Sequence, residues 1–306
     1  DYGLVISNSH NVTVRGGYYS GGRHGISTGG GDHVGCSPSR FITVSGTTIT
    51  NTGAQIFAAD NHGNIDYMIW DNCEIDGGIA IGGDNVTVSN CHIQVGDGTI
   101  NECIYGAEFR GCSMSIHNNI LENNGNYTST GNFVNIGGSN LCITHSTTKG
   151  GTITITDNLM KYVGTLSDVD AIKLAQRGYT GDEKVNVLIS RNTINNESLT
   201  TSADFALHIE ATPDSDTAAL GNWGHITISN NQGLGGIHLA DNISATDPTI
   251  GTAEYITVTD NTLTDGQYGI SLRGIKRIVN VSGNMIKDME AHPVTIYGTD
   301  ADNPVE

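Results

Sequence analysis

Ile153-Thr154-Ile155-Thr156-Asp157-Asn158 is the stretch on which the fold turns. A β-branched apolar residue alternates with Thr, which is the period of a strand with one buried face. The small polar pair that closes it marks a sharp corner, because short polar side chains tolerate the left-handed backbone. The same phrase recurs along the chain as Val12-Thr13-Val14-Arg15-Gly16, Ile42-Thr43-Val44-Ser45-Gly46, Met68-Ile69-Trp70-Asp71-Asn72, Val86-Thr87-Val88-Ser89-Asn90 and Ser115-Ile116-His117-Asn118. Downstream it returns as Val187-Leu188-Ile189-Ser190-Arg191-Asn192, Ile226-Thr227-Ile228-Ser229-Asn230, Ile256-Thr257-Val258-Thr259-Asp260-Asn261 and Val279-Asn280-Val281-Ser282-Gly283-Asn284. The nine intervals from Gly16 to Asn284 give a period of about 30 residues, a solenoid spacing.

Each repeat carries a second strand upstream: Ile79-Ala80-Ile81, Val134-Asn135-Ile136, Ile172-Lys173-Leu174, Leu207-His208-Ile209, Ile237-His238-Leu239, Ile270-Ser271-Leu272 and Val294-Thr295-Ile296. Strands this short bury their apolar faces only by stacking coil on coil at about 4.8 Å per rung. The expected fold is all-β, a right-handed parallel β-helix of about ten coils, with residues 1–306 as one domain. Because Asp1 falls inside a strand-like pattern, the domain is expected to be a fragment of a longer chain. Asn72, Asn90, Asn118, Asn158, Asn192, Asn230 and Asn261 are expected to stack as an amide ladder, with Cys73 and Cys91 packed inside.

Composition agrees. Gly at 41 of 306 residues weakens any helix interior. A net charge of -18 disfavours capture of nucleic acid or an anionic membrane, and no apolar run approaches the roughly 20 residues of a membrane span. None of the six cysteines forms a Cys-x-x-Cys pair, so they read as reduced and buried rather than as zinc ligands.

Function must sit where the repeat is interrupted, at residues 29–39, 125–151, 176–184, 212–224 and 241–253. Most of these follow the second strand and so project from one edge of the rod, beside a groove suited to an elongated ligand. The outward column there is expected to hold Ser27, Phe57, Ala80, Glu108, Asn135, Lys173, His208, His238 and Ser271, with Glu210 and Arg273 two residues further along. Arg23-His24 and Asp60-Asn61-His62 fall on consecutive coils. An Asp two residues from a His can orient the imidazole and an Arg can hold an anion, which are the parts of an acid/base site. Asp60, His62, His24 and Arg23 are therefore the catalytic candidates, with no metal ligand assigned. Asp32, His33 and Phe57 lie close by as candidate substrate contacts. Lys173, Arg177, His208, Glu210, Asp214 and His238 form a second, central group.

The repeated Ile-Thr-Val-Ser-x-Asn coils resemble the pectin-lyase-like superfamily along essentially the whole chain. Gly22-Arg23-His24 through Asp60-Asn61-His62-Gly63 looks like phage tail-spike and appendage proteins that degrade host surface glycans. Asp60 and His62 also resemble the Asp and His of the mannuronan C5-epimerase motif, although Phe57 stands where that motif has its Tyr, Asn61 replaces Pro and Gly63 replaces Glu. The resemblance to spikes implies a homotrimer on the virion tail surface or otherwise extracellular, with further attachment segments. It also implies a depolymerase of capsular or lipopolysaccharide glycan or of wall teichoic acid. Hydrolysis calls for two carboxylates about 5 to 9.5 Å apart, elimination for a base and a cation, and a phosphodiester substrate would add Ca²⁺ as the one cofactor. The alternatives are a non-catalytic receptor-binding adhesin rod and a bacterial uronan lyase or epimerase.

Overall fold

A computed structural model describes residues 2–29, 39–52, 57–62, 65–96, 102–109, 112–124, 139–145, 150–163, 170–177, 184–196, 205–212, 223–241, 253–266, 268–275 and 278–298. Strands of the solenoid wind through three parallel sheets in turn. The first sheet takes strands such as His24–Thr28, Ala59–Asn61, Asp170–Arg177 and Gly236–Asp241. The second takes all ten copies of the repeated phrase, from His10–Arg15 to Ile278–Ser282. The third is a stack of ten short strands such as Leu159–Tyr162. The chain is a right-handed parallel β-helix of about ten coils.

Alternation sets the core. Along the first sheet, Ile172, Leu207, Ile237 and Ile270 pair rung by rung and are fully buried. Along the second, Ile153, Val187, Ile226 and Ile256 do the same at 4% exposure or less. The core thickens where Trp70 points in. That rung compensates with Ala59 and Asn61 on its first-sheet strand, and the Asn61 Oδ1 accepts a 3.1 Å bond from the Trp70 Nε1–H. Ile79–Ser89 is one strand that serves both first and second sheets, bending at Gly83 with φ 94.

The polar corner divides its two residues between two roles. The first takes the left-handed backbone: Asn72, Asn90, Asn118, Asp157, Arg191, Asn230 and Asp260 all have φ between 52 and 59. The second turns inward. Asn119, Asn158, Asn192, Asn231, Asn261 and Asn284 form the ladder, and from Asn158 onward each Oδ1 accepts both the backbone N–H and the Nδ2–H of the rung before at 2.9–3.1 Å. Cys91 and Cys73 continue it towards the N-terminus, the Cys91 N–H donating to Asn119 Oδ1 and the Cys73 N–H to Cys91 Sγ. Asn72, Asn90, Asn118 and Asn230, expected in the ladder, are instead the left-handed members of their pairs. Cys73, Cys91 and Cys103 are free and buried.

In chain order the stretches 29–39, 176–184, 212–224 and 241–253 each fall between a first-sheet strand and the next second-sheet strand, and most of their residues lie outside the described residues. Residues 125–151 differ, because the first-sheet strand Ser139–His145 lies among them. Val134-Asn135-Ile136, expected to be that strand, lie outside the described residues; Leu141 and Ile143 pair in register with Ile104 and Gly106 before them and with Ile172 and Leu174 after.

Candidate active site

His24–Thr28 and Ala59–Asn61 lie side by side in the first sheet, with Ser27 opposite Asp60. Because Ile26 and Ala59 face the core, the alternation sends Ser27 and Asp60 to the other face. Three side chains converge there on one oxygen. Asp60 Oδ2 lies 3.1 Å from His62 Nε2, 3.4 Å from His24 Nε2 and 3.3 Å from Ser27 Oγ. The side chains of Asp60 and His24 are only 8% and 5% exposed, whereas that of His62 is 45% exposed. A buried carboxylate therefore holds a half-exposed imidazole, with a second imidazole beneath.

The two histidines have different protonation logic. The His24 Nδ1–H donates to the Phe57 carbonyl at 2.6 Å, which leaves Nε2 facing Asp60. Burial, the largest influence, pushes the His24 pKa below its ordinary 6.5, against the opposing pull of the Phe57 carbonyl and Asp60. His62 sets Nε2 at hydrogen-bond distance from the same carboxylate oxygen, the geometry of an Nε2–H donor.

The strand register aligns Val5, Ser27, Asp60, Ala80, Tyr105, Cys142, Lys173, His208, His238, Ser271 and Thr295 in one column. Phe57 and Glu108, expected in it, are replaced by Asp60 and Tyr105, and Cys142 stands where Asn135 was expected. Phe57 precedes its strand, Ala59–Asn61, in which Asp60 is the residue opposite Ser27. Glu108 is displaced because Tyr105 is the residue that pairs with Ala80, and Glu108 lies further along, opposite Gly82. Between Asp60 and Tyr105 the column holds only Ala80, a notch two rungs tall, or about 10 Å. The Phe57 ring lies against Tyr105, centroids 5.8 Å apart and planes 4° from parallel.

Arg23 is exposed, its guanidinium carbon 5.7 Å from the centroid of the Tyr2 ring, which in turn lies 5.5 Å from the His24 ring. Lys173, His208 and His238 stand in successive rungs of the column, beginning four rungs or about 19 Å from Asp60. They cannot share a small ligand group with His62. Asp32, His33 and Asp214 lie outside the described residues, as do the side chains of Glu108, Arg177, His208, Glu210 and Arg273. Among the described residues, no group of three His, Cys, Asp or Glu side chains is arranged to hold a metal ion. Ser27 stands in the outward column as expected, whereas Tyr2 and Tyr105 were not among the expected site residues. Tyr105 follows Ile104 at the strand period, a signal that was present in the sequence.

Residues 1–138, which include this cluster, match the family described as Gp49, pectin lyase-like. The first 138 residues are thus similar to the pectin lyase-like family, and the β-helix resembles those of phage tailspikes. It aligns with the Pseudomonas phage phi297 tailspike gp61 at a TM-score of 0.62 and 26% identity, over 83% of this chain and 40% of that one. With the Gp54 tailspike of Acinetobacter baumannii bacteriophage AP22, solved in complex with A. baumannii capsular saccharide, the TM-score is 0.58 at 24% identity, over 84% and 38%. The second likeness bears on the fold alone. This chain spans about two fifths of the length of either tailspike. No curated protein sequence matches it.

Proposed function

We propose that this β-helix binds and cuts a polymer of the bacterial surface, a capsular or lipopolysaccharide glycan or a wall teichoic acid, with His62 as the proton-transfer group. The observation that carries the proposal is the convergence of His62, His24 and Ser27 on one buried oxygen of Asp60, beside a notch floored by Ala80. Asp60 fixes the ring and tautomer of His62 and makes its Nδ1 the more basic, as a carboxylate does for any imidazole whose other N–H it accepts. The Ser27 hydroxyl donates to Asp60 in turn and the buried His24 ring packs beside it, so the pair keeps its geometry while the exposed ring works. In an elimination, Nδ1 takes a proton from carbon; in a hydrolysis it takes one from water or gives one to the leaving oxygen. Arg23, lying on Tyr2 beside His24, is a cation for an anionic substituent. Tyr105 and Phe57 offer ring faces to a sugar on the far side of the notch.

The tailspike likeness supports a polymeric ligand laid along the rod, a homotrimeric state and a place on a virion tail. Incubation with purified capsular polysaccharides, lipopolysaccharide, wall teichoic acid and alginate tests the activity. An ultraviolet-absorbing unsaturated uronate identifies a lyase, new reducing ends without it a hydrolase, and phosphomonoester a phosphodiesterase. Binding with no product from any polymer would make the rod an adhesin and end the catalytic reading.

A further inference from the structure

Phe41 and Tyr67 occupy equivalent places at the start of Ser39–Ser45 and Ile65–Asp71 in the second sheet, between the paired residues Arg40 and Asp66 and the paired residues Ile42 and Met68. Both have left-handed backbones, φ 57 and φ 59. On the rungs before and after, the same place is taken by Asn11 and Asn85, with φ 58 and φ 55. Four consecutive rungs thus carry one kink. The outer two fill it with Asn, which adopts that conformation readily, and the inner two with aromatic residues, for which it costs roughly 1–2 kcal/mol each. These two side chains are also 53% and 48% exposed. Backbone strain and exposed apolar surface coincide on the same pair, which is the pattern of a functional site.

Their rings lie 4.9 Å apart between centroids with planes 13° from parallel. Touching rings are separated by about 3.5 Å, so this pair is slipped sideways by about as much, and part of each face stays bare. We propose that Phe41 and Tyr67 form a carbohydrate-stacking subsite that takes the apolar face of a neutral pyranose ring. It rests on the proposed function for its polymer but not on catalysis at His62.

Three observations select a sugar. The first is extent: the aromatic strip covers two rungs, about 10 Å, and ends in Asn on both sides. A protein partner needs roughly 800 Å² per side, far more than two rings and the neighbouring Ile69 supply. The second is the fringe. Arg40 Nε lies 3.8 Å from Asp66 Oδ2, and Asn85 Nδ2–H donates to Asp66 Oδ1 at 2.9 Å. Donors and acceptors for hydroxyls stand beside the rings, and the Arg40–Asp66 pair neutralises itself, so no charge is selected. The third is continuity with the acid/base site. Ala80 belongs to the Asp60 column and Asn85 to the kink column, both on the unbroken strand Ile79–Ser89, five residues or at most about 18 Å apart. No insertion separates the two columns on that rung, and the strand turns at Gly83, where a Cβ would come within 2.5 Å of Ile65. An oligosaccharide can follow this surface from the notch to the rings.

The test is the double substitution Phe41→Asn with Tyr67→Asn, which copies the flanking rungs, removes both rings and keeps a side chain suited to the kink. Its melting temperature is expected to stay the same or rise by a few degrees. Binding is read in the full chain carrying His62→Ala, so that polymer remains intact, against purified neutral and acidic capsular polysaccharides, wall teichoic acid and neutral methyl hexopyranosides. Affinity for neutral-sugar ligands should fall at least tenfold, and in the cleaving protein KM should rise with kcat retained. Equal affinity within twofold overturns the proposal. So does a changed sedimentation mass with polymer affinity unaltered, which would make the rings a protein contact, and so does the absence of sugar binding by the parent chain. Ring-dependent binding without any cleavage would leave the subsite standing and remove only the catalytic reading.

Discussion

Removing the His62 ring and removing the carboxylate behind it should have different costs. His62→Ala deletes a half-exposed side chain and should leave the melting temperature within a few degrees while lowering turnover by about 10²–10⁴, the worth of a positioned acid/base group. Asp60→Asn keeps the size but removes the charge that makes His62 basic, and should cost a similar factor. Asp60→Ala also strands the hydroxyl of Ser27 and two imidazole nitrogens, a further loss of about 1–3 kcal/mol in stability. Full activity in either of the first two variants would rule the cluster out as catalytic machinery. His24 adds a pH signature. Its folded pKa lies below the ordinary 6.5, because burial outweighs Asp60, with Arg23 and His62 also disfavouring the charge. Between the two values the unfolded chain binds the proton that the folded chain refuses, so stability falls as pH drops below about 6.5 and levels off under the folded pKa. Melting curves from pH 8 to pH 5 should therefore flatten in His24→Gln; an unchanged pH slope would mean that His24 is not the group responsible.

At the level of strands and corners, the two members of each polar pair predict opposite responses. Asn192 is fully buried, and its amide joins Asn158, Ile155 and Asn231. Asn192→Ala would leave several buried donors and acceptors unmet and should cost about 3–5 kcal/mol, seen as an earlier denaturation midpoint. Asn230→Gly keeps a residue free to adopt φ 57 and should be nearly neutral. The sequence shows that every corner is small and polar but not which member turns in, because that depends on the backbone of the first residue. Strand periodicity is local, so all ten phrases were readable as one sheet. Membership of the outward column, by contrast, is set by how neighbouring rungs pair, Ser27 with Asp60 and Ala80 with Tyr105. His24, Asp60 and His62 were still readable as neighbours, since consecutive coils must stack. Phe41 and Tyr67 were not, because nothing in an aromatic residue announces a left-handed backbone.

The rod as a whole carries a net charge of -18 on about ten stacked coils, a length of about 48 Å. At about 10 mM salt the screening length is near 30 Å and most of the rod repels itself; at about 150 mM it is near 8 Å, less than two rungs. Melting temperature should accordingly rise with salt over that range. The same field acts on an approaching polymer. An acidic glycan or teichoic acid must enter against it, so its association rate should increase with salt, the reverse of ordinary attraction between opposite charges. A neutral glycan should show a flat profile, as expected if the Phe41–Tyr67 rings and the Tyr105 face dominate capture. Stopped-flow association of the His62→Ala chain with whichever polymer it binds, measured from about 10 to about 300 mM NaCl, separates these cases. A rate that slows with salt would show instead that Arg23, Lys173 and their neighbours create a positive path through an otherwise negative surface. Ligand capture would then be governed by local cations in the groove, and the net charge would cease to be a guide to the polymer.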